Sequence, residues 1–254
     1  MTDIIIKKLS DSKGARWTAL LIVSFTMMMG YFLTDVMSPL ENMLETSCAQ
    51  GGMGWTSSEY GFFSGSYGII NVYLFMLFFG GIILDKMGIR FTGSMASSLM
   101  VIGAFIKFYA IAYISPEGTT YVNLPMFGLD HVMVKNQMLL ASLGFSIFGV
   151  GCEITGITVS KIITKWFTGH ELALAMGIQV ALARLGTAGA LSISVPIAKS
   201  FSLSTPILFG ASMLCIGLLA FFTYCIMDKK LDASTDAINA RNNTEEEEGF
   251  KFKD

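Results

Sequence analysis

Six apolar runs, each about as long as a membrane-spanning helix, dominate this chain of 254 residues. A helix needs about 20 mostly apolar residues to cross a hydrocarbon layer ~30 Å thick. The runs are 17–40, 60–84, 91–114, 136–162, 172–198 and 205–227. Their length and number predict an all-α fold, a polytopic membrane protein built as a six-transmembrane-helix bundle.

The composition agrees with a chain that lies in a bilayer. Hydrophobic residues make up 53% of the chain and charged residues 14%, and the mean hydropathy is +0.60. Soluble globular domains carry about 25% charged residues. The composition therefore argues against a soluble enzyme, a nucleic-acid-binding protein or a disordered linker. The cysteines form no Cys-x-x-Cys pair and the chain has no ATP-binding glycine loop, so we expect no metal and no cofactor.

The basic residues divide unequally between the two sides of the predicted bundle. Thirteen Lys and Arg fall in the arm 1–16, at the ends of the second and fourth runs and in the tail 228–254, whereas two fall in the other loops. Positively charged loops stay on the cytoplasmic side, which places both termini there. The predicted membrane is the bacterial plasma membrane or, in a eukaryote, a lysosomal-type membrane. The polar tail after the transmembrane domain 17–227 is predicted to be disordered or a linker.

Two ionisable residues lie deep inside the predicted spans. Such groups are costly in a membrane and usually line a bundle interior or a wet cavity. Glu153 lies about 14 Å, and Arg184 about 18 Å, from the cytoplasmic side, so the two share a depth near the midplane. A guanidinium suits a carboxylate and a carboxylate suits an ammonium, so the pair could hold both ends of a zwitterion. A salt bridge between them is the alternative.

Other polar residues of the spans are weaker candidates. Asp35 and Lys107 lie about 27 Å and 24 Å from the cytoplasmic side. Asp35, followed by Pro39 at the weakened end of its helix, is the better candidate for substrate contact. Lys107 is predicted to have a structural role or to extend towards the interface. Further candidates for hydrogen bonds to a substrate are Gln179, Asn71, Tyr67 and Tyr31.

Small residues recur at helical spacing in two of the runs. Small side chains let helix backbones approach closely in lipid. We therefore expect helix contacts along these ridges. Their members are Gly61 and Gly65 in the second run and Ala173, Gly177, Ala181 and Gly189 in the fifth.

The loop between the second and third runs has the pattern Gly-x-x-x-Asp-Lys-x-Gly-x-Arg. Its members are Gly81, Asp85, Lys86, Gly88 and Arg90. This loop resembles the signature loop of the major facilitator superfamily, secondary carriers built from two six-helix halves. Ile89 departs from the family pattern, which is richer in basic residues there. The resemblance implies that Asp85 contacts a helix of the opposite half and that the loop gates transport. The alternative is that Asp85 and Arg90 only anchor helix ends.

The connection between the fourth and fifth runs narrows the resemblance. It runs Trp-Phe-Thr-Gly-His-Glu-Leu-Ala over 166–173 and is followed by Gly-Ile-Gln at 177–179 and Ala-Arg-Leu-Gly at 183–186. With 149–153 and Asp35, these segments resemble the lysosomal dipeptide carriers of the superfamily and their bacterial relatives. The resemblance covers the first five runs. It implies that Glu153 and Arg184 hold the amino and carboxyl ends of a dipeptide.

The resemblance leaves several interpretations open. The superfamily normally has twelve spans, so six imply an N-terminal half that functions with a missing C-terminal half or with a second copy. We expect a secondary transporter of dipeptides or similar zwitterions that works by alternating access, with lipid and substrate as partners. A half-carrier that is inactive alone, or a non-transporting assembly protein, is the alternative. An intramembrane hydrolase using Ser64 is disfavoured, because His131 and His170 are predicted to lie on opposite faces.

Overall fold

Within the residues that it describes, the computed structural model contains seven α-helices, three short 3-10 helices and one antiparallel hairpin. It describes the backbone of residues 9–125 and 129–249 and the side chains of 9–123, 125 and 131–238. The helices are α1 Lys13–Asp35, α2 Glu41–Glu45, α3 Ser57–Tyr73, α4 Met76–Tyr113, α5 Asn136–Phe167, α6 Leu172–Ser200 and α7 Thr205–Gly249. The antiparallel strands are β1 Thr119–Leu124 and β2 Leu129–Lys135. Five helical segments of the described chain are long and apolar enough to cross a membrane. The prediction of an all-α polytopic bundle is confirmed.

Helix α4 reverses direction in its middle, so it contributes to two passes along the bundle. Gly88 in its middle has φ 78°, outside the helical region. Before Gly88 the chain runs in the same direction as α5, and after Gly88 it runs in the opposite direction. The pairs that show this are Gly80 with Ile154, Asp85 with Lys161, Ala96 with Gly151 and Gly103 with Phe148. The chain therefore passes six times along the bundle.

The second pass differs from the continuous helix predicted over 60–84. It consists of α3 and the first part of α4, separated by a break at Leu74 and Phe75. Phe75 adopts a left-handed conformation with φ 49°. Neither proline nor glycine occupies the break, so the sequence carries no ordinary signal for it.

The tail is helical rather than disordered in its described part, and its predicted role as a linker stays a prediction. Helix α7 continues beyond 227 to Gly249. Residues 228–248 contain neither glycine nor proline, and 11 of these 21 residues are Glu, Ala, Lys, Leu or Arg, which favour helix. Lys251 and Lys253 of the tail, like Lys7 and Lys8 of the arm, lie outside the described residues. The tail is thus helical as far as the structure describes it.

The two ends of the bundle have different chemistry. At one end, here called the basic end, Arg16, Arg90, Lys161 and Lys165 form ion pairs. The opposite end, called the hairpin end, holds β1 and β2 within the predicted loop 115–135. Glu59 joins the hairpin to the start of α3. Its carboxylate accepts hydrogen bonds from the backbone N–H of Thr56 and from that of Lys135 at the end of β2.

Helix α5 lies at the centre of the packing, and its glycines let other backbones approach it. A Cβ atom on Gly144 would lie 2.7 Å from the backbone nitrogen of Lys107 in α4. A Cβ on Gly151 would lie 2.5 Å from the carbonyl oxygen of Ala96. These glycines therefore let the α4 and α5 backbones come close, as small residues do in membrane bundles.

The predicted ridges of small residues do not make these contacts. Cβ atoms on Gly61, Gly65 or Gly177 would meet no atom within 4 Å. In the fifth pass, the close approach occurs instead at Gly186, where a Cβ would clash with the carbonyl oxygen of Met28. The expectation was wrong for Gly61, Gly65 and Gly177, because helical spacing alone does not show which face of a helix meets a neighbour. A Cβ on Gly189, by contrast, would lie 3.7 Å from the Phe32 ring of α1.

Replacing Gly103 by Ala should destabilise the bundle. The added methyl would lie 2.5 Å from the carbonyl oxygen of Gly144 and closer still to the amide nitrogen of Phe148. Forcing the two helices apart should cost about 1–3 kcal/mol of unfolding free energy. The check is the midpoint of thermal unfolding in detergent micelles. Gly61→Ala is the matched control and should leave the midpoint unchanged. Equal shifts in both variants would contradict the packing described.

Candidate polar face

Four helices bring polar side chains together on one surface. This surface, the polar face, consists of Tyr31 and Asp35 of α1, Tyr67 of α3, Glu153 of α5 and Arg184 of α6. The Tyr67 hydroxyl donates a hydrogen bond of 2.8 Å to the Glu153 carboxylate. Glu153 is half-buried. Its charge is therefore held by a neighbouring hydroxyl and remains within reach of a ligand.

Arg184 reaches the same surface through an aromatic contact. Its guanidinium carbon lies 5.6 Å from the centre of the Tyr31 ring, which is the geometry of a cation–π contact. Tyr31 also interacts electrostatically with Glu153 and Asp35. Arg184 itself is exposed. Tyr31 thus links the two oppositely charged residues that the sequence placed at a common depth.

Glu153 and Arg184 do not neutralise each other. Among the side chains that the structure describes, no ion pair within 4 Å joins the two. The salt bridge considered from the sequence is therefore not formed. Each charge is instead held by a tyrosine from another helix, and both remain available to a charged ligand.

A cavity of about 250 Å³ opens beside Tyr67 on the side of the hairpin end. Asp35 is the charged residue in its lining. The cavity is bounded by hydroxyl groups and by apolar side chains, which are Thr34, Ser38, Tyr60, Ser64, Met37, Phe63 and Phe145. This mixture suits a small polar group that a ligand places next to Glu153. Helix α1 ends at Asp35, before Pro39, as the sequence indicates.

Two other polar residues that the sequence suggests as substrate contacts form no hydrogen bonds with the described residues. Gln179 is half-buried on α6 and forms no hydrogen bond with the described part of the chain. Both amide atoms of Asn71 are buried and find no partner among the described residues. Asn71 lies four residues after Tyr67 on α3, so the two share a helix face.

Lys107 has a structural position rather than an interfacial one. Its side chain is completely buried, which excludes the predicted extension towards the interface. The ammonium donates a 2.7 Å hydrogen bond to the carbonyl oxygen of Leu33, near the end of α1. It also lies 4.5 Å from the Phe145 ring centre. A cation at a helix C-terminus complements the helix dipole, so Lys107 fixes the end of α1 that carries Asp35.

The predicted gating loop lies at the basic end. Gly88 provides the positive φ of the turn. Asp85 is largely exposed, and its carboxylate lies 2.6 Å from the Lys161 ammonium of α5. Lys86 is exposed, and a Cβ on Gly81 would meet no atom within 4 Å. Open space beside Gly81 and an exposed Asp85 leave room for another protein segment at this turn.

Arg90, the last residue of the loop, joins a charge network around a buried carboxylate, that of Asp228. Its guanidinium lies 3.5 Å from Asp228 and 3.0 Å from Asp232, both on α7. Lys165 pairs with the same two carboxylates at 2.8 Å and 2.6 Å. Asp228 is completely buried and also accepts a hydrogen bond from Trp166. The network ties the third, fourth and sixth passes together at the basic end.

Sequence reasoning missed the α7 carboxylates of this network. Asp228 follows the last apolar run directly and was assigned to the tail, where acidic residues are ordinarily solvated. One turn of helix separates Asp228 from Asp232, which places both on one face. The i, i+4 spacing was the signal available, but it becomes informative only once the helix is known to continue.

The two histidines lie at opposite ends of the bundle. His170 is at the basic end, 3.5 Å from Asp11. His131 is on the hairpin, where it contacts the Tyr121 hydroxyl. Neither can serve as a base for Ser64, which lines the cavity on the polar face. The arrangement therefore does not support nucleophilic catalysis at this serine.

Sequence comparisons relate the chain to membrane transporters. No protein-family model matches it. The lysosomal dipeptide transporter MFSD1 of Danio rerio is 26% identical over 168 residues, which cover 62% of this chain and 32% of the relative. The protein of that name from Bos taurus is 28% identical over 113 residues, 44% of this chain and 19% of the relative. The protein of that name from Homo sapiens is 25% identical over 173 residues, which cover 68% of this chain and 31% of the relative.

The chain thus spans about a third or less of the length of these relatives. The matched portion is nevertheless long enough to include several passes of the bundle. Together with the helical architecture, the comparisons support an integral, multi-pass membrane protein that is similar to the MFSD1 transporters.

Proposed function

We propose that the protein is a secondary membrane transporter that moves dipeptides or similar small zwitterions by alternating access. The observation that carries the proposal is the presence of Glu153 and Arg184 on one polar face without an ion pair between them. The names of the MFSD1 relatives support the same substrate class. The proposed function is non-enzymatic, as the names of the transporter relatives imply.

The chemistry of the polar face suits the two ends of a dipeptide. A guanidinium can donate two parallel hydrogen bonds to a carboxylate, so Arg184 binds the carboxyl end. A carboxylate accepts hydrogen bonds from an ammonium, so Glu153 binds the amino end. The cavity lined by Asp35 receives the side chain of the first residue of the dipeptide. Gln179 of α6 contributes a hydrogen bond to the peptide unit.

The polar face needs a second wall to form a closed binding site. Helix α6 has many exposed apolar side chains, among them Leu174, Val180 and Leu185. The broken second pass likewise exposes Leu74 and Phe75. Some of this surface contacts lipid, and the remainder receives either a C-terminal half or a second copy of the chain. A half-carrier inactive alone, or an assembly protein, is the competing proposal.

Alternating access requires contacts that break as the carrier changes state. The exposed pair of Asp85 and Lys161 contributes little to stability, because water screens it. Asp228, by contrast, is completely buried, and its contacts with Arg90 and Lys165 join three passes at the basic end. We assign gating to Gly81, Asp85, Lys86, Gly88 and Arg90, with both termini on the cytoplasmic side.

Binding of a dipeptide to the purified chain is the direct test. Alanyl-alanine should bind saturably to the chain in lipid nanodiscs, measured by titration calorimetry. Glu153→Gln and Arg184→Ala should each weaken binding about tenfold to a hundredfold, because each removes a hydrogen bond to a charged group worth about 1.5–3 kcal/mol.

Leu185→Ala is the matched control, since Leu185 neighbours Arg184 and is exposed. It should bind like the unchanged chain. Uptake into liposomes separates the remaining alternatives. Binding together with uptake supports a carrier that works as the chain or its oligomer, and binding without uptake supports a half-carrier. Absence of binding by a folded chain would contradict the proposal.

Asp85→Asn should slow dipeptide uptake without changing the dissociation constant or the unfolding temperature, because its carboxylate is exposed and far from the polar face. Asp228→Asn should instead reduce the unfolding free energy by about 1–3 kcal/mol, since it weakens a buried network. Uptake rates and thermal unfolding are measured side by side. An unchanged uptake rate in Asp85→Asn would exclude Asp85 from gating.

A further inference from the structure

The two charges of the polar face have separate aromatic supports. Glu153 accepts its hydrogen bond from Tyr67 of α3, at 2.8 Å. Arg184 lies over the ring of Tyr31 of α1, at 5.6 Å. The supports come from different helices, and each tyrosine makes its hydrogen bond or ring contact with one of the two charged side chains. Each end of the proposed dipeptide clamp is therefore held independently of the other.

Without these supports the two charges would attract each other. The attraction between opposite charges grows as the local dielectric constant falls, and it is strong in a partly dry cavity. A paired Glu153 and Arg184 would have to separate before a zwitterion could bind, which weakens binding. Charges already held apart need no such rearrangement, which is the advantage of preorganisation.

We propose that Tyr31 and Tyr67 are positioning residues that keep Arg184 and Glu153 apart, with Tyr31 acting on the carboxyl end of the substrate and Tyr67 on its amino end. The proposal rests on the proposed dipeptide function. It assigns roles to two residues that contact the charged side chains rather than the reacting or transported atoms.

The packing of Tyr67 separates its hydroxyl from its structural role. Its ring lies 5.4 Å from the Phe145 ring and 6.4 Å from the Phe148 ring, inside the aromatic cluster of α3 and α5. Only the hydroxyl reaches Glu153. Tyr67→Phe therefore removes the hydrogen bond and retains the packing of the ring.

Tyr31 permits the complementary experiment. A cation–π contact needs the ring and not the hydroxyl. Tyr31→Phe should therefore keep Arg184 in place, whereas Tyr31→Leu should release it. Rescue by the aromatic replacement distinguishes a contact with the guanidinium from a role of the hydroxyl.

Dipeptides that are blocked at one end then show how Glu153 and Arg184 each contribute to binding. The probes are alanyl-alanine, N-acetyl-alanyl-alanine and alanyl-alanine amide, titrated into the purified chain in nanodiscs. Tyr67→Phe should weaken binding of all three probes about fivefold, because a Glu153 released from Tyr67 pairs with Arg184 and either end of a dipeptide must then compete with that pair. Tyr31→Leu should likewise weaken binding of all three probes about threefold to tenfold. In a Glu153→Gln chain, which cannot form the pair, Tyr67→Phe should leave binding of the N-acetyl form unchanged.

Tyr113→Phe is the control, since Tyr113 ends α4 and is highly exposed. It should change none of the three dissociation constants. Binding by the unchanged chain, with no loss in either tyrosine variant or with the same loss of N-acetyl binding when Tyr67→Phe is made in the Glu153→Gln chain, would overturn the positioning roles and leave the dipeptide function standing. If the unchanged chain binds none of the probes, the proposed function fails as well.

Discussion

A charged group inside an apolar bundle must be held by a partner, and this constraint organises the structure from end to end. Lys107 uses a carbonyl oxygen of α1, Glu153 uses a tyrosine hydroxyl, and Arg184 uses an aromatic ring. Asp228 uses two basic side chains and an indole. The partner lies on a different helix in each case. The charges therefore fix how the helices sit beside one another.

The charged groups differ in how much of their hydrogen-bonding capacity their partners leave free for a ligand. Lys107 and Asp228 are completely buried and serve the packing of α1 and α7. Glu153 is half-buried and Arg184 exposed, and each has a support that leaves much of its hydrogen-bonding capacity unused. The same physical requirement therefore produces structural charges at two places and binding charges at a third. Close backbone contacts at the glycines of α5 keep the helices near enough for these supports to reach.

The sequence predicted the helical architecture because apolar runs of membrane length are unambiguous, and it placed Glu153 and Arg184 at one depth because helical rise is constant. It could not predict which side chains would support them. Depth says nothing about the rotation of a helix, so Tyr31 and Tyr67 remained two candidates among several. Rotation also explains the failed expectation for Gly61 and Gly177, which face open space. The break at Phe75 escaped prediction because it carries neither glycine nor proline as a signal. The helical tail escaped prediction because its polar, charged composition has no apolar period, which is the signal that marks a packed helix.

The central claim is that the polar face is wet and binds a dipeptide. Reaction with a charged, water-soluble thiol reagent tests it, in a chain whose four cysteines are replaced and single cysteines are introduced. Cysteines at Thr34 and Ser64, which line the cavity, should react and should be protected by alanyl-alanine. Cysteines at Ile102 and Leu143, apolar and exposed on α4 and α5, should not react. Equal reactivity at all four positions, or no protection by dipeptide at Thr34 and Ser64, would contradict the account.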